Sequence, residues 1–191
     1  MTSDAPKLYF FDRVFGKTLL PLIPRRVRPN HLTVLRLLMV PWVAFFFWQG
    51  DYWVGLILFF IAALTDALDG ALARTRNQIT AWGKLFDPLA DKFLICTAVF
   101  ILVLKYVDFY TAWFIIILES IIVAAALYKR NSGGEVQSNF WGKVKMLLQV
   151  AGVVFLLLAL VFNLESLLPV SRGAFYVAIA FAIISLFTYS I

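Results

Sequence analysis

The sequence predicts an all-α integral membrane protein: six transmembrane helices preceded by an N-terminal amphipathic interfacial helix. They form a single domain over residues 1–191, with an interfacial segment at 1–28 and a six-helix bundle at 29–191. Three observations predict this. Hydrophobic residues make up 62% of the chain and mean hydropathy is +0.88, too apolar for a soluble domain. Six apolar stretches each approach the length of about twenty residues needed to cross a bilayer. Basic residues collect at one set of the ends of those stretches.

Within residues 1–28, Leu8, Phe11, Phe15 and Leu19 recur at helical spacing, with Lys7, Arg13 and Lys17 mostly on other faces. An amphipathic helix in the headgroup layer fits that pattern. A cleaved leader does not, because charge continues through Arg25, Arg26 and Arg28 and the first long apolar run begins only after His31. Pro29 and Asn30 punctuate, with Asn30 placed to cap the next helix. The six spans are expected at about 32–50, 52–73, 86–106, 109–128, 142–163 and 172–190.

Arg25, Arg26, Arg28, Arg74, Arg76, Lys84, Lys129, Arg130, Lys143 and Lys145 fall at one set of ends, and only Lys105 and Arg172 at the other. Both termini and the first set of ends are therefore expected in the cytoplasm, as in a bacterial-type inner membrane. The net charge of +6 belongs to this pattern and to membrane lipids, not to nucleic acid. The single cysteine, Cys96, offers no intrachain disulfide.

Asp66 to Asp91 is the chemically dense stretch, with four carboxylates beside two apolar runs, while the other acids are scattered singly. Near the bilayer centre each bare carboxylate costs about 2.5–3.5 kcal/mol, so the four together need a strong partner. On helices, Asp66 and Asp69 share one face at i and i+3, and Gly83, Asp87 and Asp91 share another at i+4 steps. A turn near residues 75–82 would fold the two helices antiparallel, setting Asp66 against Asp91 and Asp69 against Asp87. Such an oxygen-rich set suits Mg, Mn or Ca, since the stretch offers no Cys or His for zinc. Gly70 and Gly83, at matching depth, would let a ligand approach the backbone.

Asp66, Asp69, Gly70, Ala73, Arg74, Gly83, Asp87 and Asp91 fill the pattern D-x2-D-G-x2-A-R-x8-G-x3-D-x3-D without a gap, and so the chain resembles the CDP-alcohol phosphotransferase family. The resemblance implies a membrane enzyme that transfers the phosphate-bearing part of a CDP-linked lipid or alcohol to a hydroxyl and releases CMP. It implies Mg2+, with Mn2+ as the other candidate, as two ions held by Asp66, Asp69, Asp87 and Asp91, with Asp91 also the general base. It also places Asn30, Thr33, Gly70, Ala73, Arg74, Thr80 and Gly83 around the CDP-lipid. Homodimerisation is a further expectation of the resemblance.

Gly142 to Lys145, with Gln149, resembles the G-K-x-K-x-x-x-Q segment of bacterial phosphatidylglycerophosphate synthases. That likeness implies CDP-diacylglycerol as donor and sn-glycerol 3-phosphate as acceptor, with Lys143, Lys145 and Arg130 as cations for the acceptor phosphate. Leu118 stands before Glu119 where those synthases often have Arg, a departure at the acceptor side. Glu119, an isolated intramembrane acid, is expected either to be a functional group or only to pair with Arg36 or Lys92, and Arg36 either to pair with an Asp or to meet a pyrophosphate. Inositol phosphate and uncharged alcohols remain rival acceptors. A non-enzymatic cation carrier is the rival of a different class, disfavoured because a cation path has little use for Arg74 beside its acids.

Overall fold

The computed structural model describes residues 24, 27–76, 78, 80–131 and 140–189. Among these residues there are six helices: α1 Pro29–Gln49, α2 Tyr52–Thr75, α3 Ala81–Tyr106, α4 Phe109–Asn131, α5 Phe140–Phe162 and α6 Leu167–Tyr189. Five of them, all but α3, are long and apolar enough to cross a membrane. The 26-residue α3 has the length but carries Asp87, Asp91, Lys92 and Lys105. Of the expected interfacial helix, residues 24, 27 and 28 are non-helical and the others lie outside the described residues.

Local chemistry explains the boundaries. Pro29 opens α1 where its missing N–H costs nothing, and the Arg28 N–H donates to Nδ1 of His31 at 3.3 Å. Asn30 therefore sits inside the first turn instead of capping it, which corrects the expectation. Gly50, at φ 90°, ends α1 in the left-handed conformation that glycine tolerates best. Asn163, at φ 54°, ends α5 in the same way.

Two starts also differ from the expected spans. α3 begins at Ala81, not 86, because the Thr80 hydroxyl accepts the Gly83 N–H at 2.9 Å and caps the first turn upstream of Pro88. α6 begins at Leu167, not 172, with Pro169 tolerated in its first turn. α4 is capped by Asp108, which accepts the Thr111 N–H at 2.7 Å and the Thr111 hydroxyl at 2.6 Å.

The chain forms two compact units. The first holds the described residues up to Phe46 together with Val54–Leu94. Its apolar packing includes Ala71 and Leu72 against Leu32. The second holds Phe47–Trp53 and the chain from Ile95 onward. There Leu118, Ile122 and Ala182 pack with Ile179, Ile183 and Leu186. Gly152 lies so close to Phe175 that an added Cβ would come within 2.8 Å of the ring, and Ser171 donates to the Gly152 carbonyl at 2.8 Å. Large apolar side chains such as Phe60, Phe93, Leu147 and Phe187 are exposed, as a lipid-facing surface requires.

In the second unit, Lys105 Nζ donates to the carbonyls of Phe47 at 3.0 Å and Trp48 at 2.6 Å, at the end of α1. Arg172 Nη2 donates to the Tyr106 carbonyl at 3.0 Å, at the end of α3. The two cations that depart from the charge bias thus satisfy helix C-termini.

Candidate active site

The first unit brings the acids of α2 and α3 together through side chains of α1. Arg36 is fully buried. Its Nη1 pairs with Asp66 Oδ1 at 2.6 Å and its Nη2 pairs with Asp69 Oδ2. Nη1 also approaches the Asp87 carbonyl at 3.5 Å. One turn earlier, the buried Thr33 hydroxyl donates to Asp87 Oδ1 at 2.5 Å. Asp69 is buried, whereas the Asp66 side chain keeps 44% of its surface. Asp69 lies within electrostatic reach of Asp66 and Asp87, and Asp91 within reach of Asp66. Of the two roles open to Arg36 in the sequence, the structure shows the acid pair.

A second chain of contacts runs beside this one. The Thr80 hydroxyl, besides capping α3, donates to Asn30 Oδ1 at 2.9 Å. Gly83 is buried at the centre, where an added Cβ would stand 3.2 Å from Asp87 Oδ2 and Thr80 Oγ1 and 3.3 Å from Asn30 Oδ1. At Gly70 an added Cβ would stand 3.2 Å from the Arg74 guanidinium, so Arg74 lies over that backbone. Ala73 and Arg74 are partly buried on α2. Asn30, Thr33, Thr80, Gly83 and Asp87 thus form one polar patch, with Gly70 and Arg74 adjoining on the helix of Asp66 and Asp69.

The donor chemistry fits a hard divalent cation. The carboxylates supply only oxygen, and the one guanidinium that bridges Asp66 and Asp69 carries a single positive charge against two negative ones. Among the described residues no group of three or more His, Cys, Asp or Glu is drawn up tightly around one point. Arg36 spans Asp66 and Asp69, and Thr33 holds Asp87.

The expected acceptor cations belong to the second unit. Lys143 is exposed near the start of α5. Lys145 is buried, with its ammonium 2.5 Å from Glu119 Oε1. Gln149 Nε2 donates to the same oxygen at 3.0 Å. Glu119 therefore pairs with Lys145, a partner that the sequence did not single out for it. The side chain of Arg130, and residues 132–139, lie outside the described residues. The sequence singles out Lys145 with Gln149 in one segment and Glu119 in another, without showing that the three join. Their i+4 spacing on α5, set against an isolated intramembrane acid, was the available signal.

The chain is similar to a Bacillus subtilis protein named CDP-diacylglycerol--glycerol-3-phosphate 3-phosphatidyltransferase, with 36% identity over 176 residues, 82% of this chain and 90% of that one. A Salmonella choleraesuis protein of the same name is 35% identical over 144 residues, 68% of this chain and 75% of the other. A Rickettsia felis protein, again of that name, is 32% identical over 134 residues, 68% and 74% of the two chains. The family model described as CDP-alcohol phosphatidyltransferase matches residues 26–187, a span that contains all four acids and both lysines, and the chain belongs to that family.

Proposed function

We propose that the chain transfers a phosphatidyl group from CDP-diacylglycerol to the hydroxyl of sn-glycerol 3-phosphate, releasing CMP and forming phosphatidylglycerophosphate, with a divalent cation required. The observation that carries this reading is the convergence of Asp66 and Asp69 on α2 with Asp87 on α3 through two side chains of α1.

Asp66, Asp69, Asp87 and Asp91 would hold Mg2+ or Mn2+, and four carboxylates are donors enough for two ions. When bound there, the cations supply positive charge against the donor pyrophosphate and the departing CMP. Arg74, lying over Gly70, presents a planar fork suited to a phosphate. Gly70, Ala73 and Gly83 border the nucleotide in this reading, while Thr33 and Thr80 set the positions of Asp87 and Asn30. Asn30 accepts through Oδ1, so its amide NH2 is the group that faces a phosphate. Asp91 takes the proton from the acceptor hydroxyl as that oxygen bonds to the lipid-side phosphorus and the bond from phosphorus to CMP breaks.

The printed name of the similar bacterial proteins supports glycerol 3-phosphate as acceptor. Lys143, Lys145 and Arg130 would supply cations for its phosphate, with Glu119 and Gln149 holding Lys145 in a fixed direction. In this reading α3 crosses the membrane as the sixth span, its acids compensated within the first unit. The basic ends, both termini and the site face the cytoplasm, and the enzyme works as a homodimer.

Purified protein in detergent, given CDP-diacylglycerol, Mg2+ and one acceptor at a time, tests the reading by CMP release. Release with glycerol 3-phosphate alone is expected. Release with inositol phosphate instead would move the acceptor, and silence with every acceptor would sink the enzymatic reading.

A further inference from the structure

Thr33 and Arg36 lie three residues apart on α1, and each takes hold of acids on other helices. Their contacts use Oδ1 of Asp66, Oδ2 of Asp69 and Oδ1 of Asp87, one oxygen from each of three carboxylates. Both residues are completely buried. Among the described residues Arg36 Nε has no hydrogen-bond partner, so the two terminal nitrogens do the holding seen here.

The geometry points to Thr33 and Arg36 as positioning residues for the cation-binding acids: together they fix the rotation of three carboxylates so that the opposite oxygens are presented to the ion. This rests on the cation-dependent reading above. It gives Thr33 a task other than touching the nucleotide, and it gives Arg36 a task that charge alone does not supply.

A carboxylate attached through two single bonds turns freely unless something grips one oxygen, and groups that orient metal ligands typically affect affinity by about 10–100-fold. A guanidinium can span two carboxylates because its donors form a rigid fork, whereas an ammonium is a point charge. Lysine at position 36 would therefore keep the charge and lose the geometry. Valine at position 33 would keep the shape and lose the hydroxyl, and serine would keep the hydroxyl.

The test is Mn2+ binding to metal-stripped, purified full-length protein, read by electron paramagnetic resonance of the free ion. Arg36→Lys and Thr33→Val are expected to bind at least about tenfold more weakly than wild type, and Thr33→Ser to bind nearly as well as wild type. Wild-type affinity in either of the first two variants overturns the inference. Should Arg36→Lys fail to fold, Thr33→Val against Thr33→Ser decides it. Failure of the underlying cation reading looks different: wild type itself would bind no Mn2+, or Asp69→Asn would bind as tightly as wild type.

Discussion

The two units solve the problem of polar groups in an apolar chain in opposite ways. In the first, Asp66, Asp69 and Asp87 are gathered from two helices onto Arg36 and Thr33 of a third. In the second, the buried charges among the described residues are one pair, Glu119 with Lys145, backed by Gln149. The rest of that unit relies on close approach, as at Gly152 and Phe175, and on cations that satisfy helix ends. Concentrated charge of the first kind is poor for stability and useful for chemistry. The second arrangement is what a scaffold needs.

The sharpest break in that contrast is expected at Asp91. Asp91→Asn should lower turnover by about 10²–10⁴-fold while calorimetry shows CDP binding largely intact. Strongly weakened CDP binding would argue against the proton-transfer role.

In the second unit, Lys145→Met strands a buried carboxylate and should destabilise the protein by about 3–5 kcal/mol, seen as a lower melting temperature in detergent. Adding Glu119→Gln should recover much of the loss. If the double variant melts no higher than the single one, the pair is not what matters at that position.

Gly152→Ala should cost about 1–3 kcal/mol, because the new methyl group meets the Phe175 ring in a tightly packed place. Turnover per folded molecule should stay near wild type; a large fall would mean that this contact serves the site and not only the scaffold.

The smallest effect is expected at Asp108. Hydrogen bonds from Thr111 hold its carboxyl below the ordinary carboxylate range. A depressed folded value means that the stabilisation is present above the unfolded value and fades as pH falls through the folded one. Asp108→Ala should therefore melt slightly lower than wild type near neutral pH, and the two curves should converge in acid.

Much of the first unit was legible because its acids come at fixed spacing inside apolar runs. Asp66, Asp69 and Asp87 could be put on facing helices from the i+3 and i+4 steps alone. The fork of Arg36 across two carboxylates was less legible, since a lone Arg four residues into a span can turn toward either an acid or a ligand. Asn30 has a residue type that suits a cap, while Pro29 and His31 supply the local signals that place the helix start two residues earlier. Lys145 was not legible as a partner of Glu119 because depth along a helix can be read from sequence, but not which neighbour faces which. Thr80 was read only through resemblance, although its offset of three residues from Gly83 is a cap spacing.

The separation of Thr33 from Arg36 carries a consequence for how this chain can change length. Each residue advances a helix by about 100°, so one residue inserted between them would swing one grip away from the acids while leaving the other in place. Variation in size among relatives should therefore avoid the first two turns of α1.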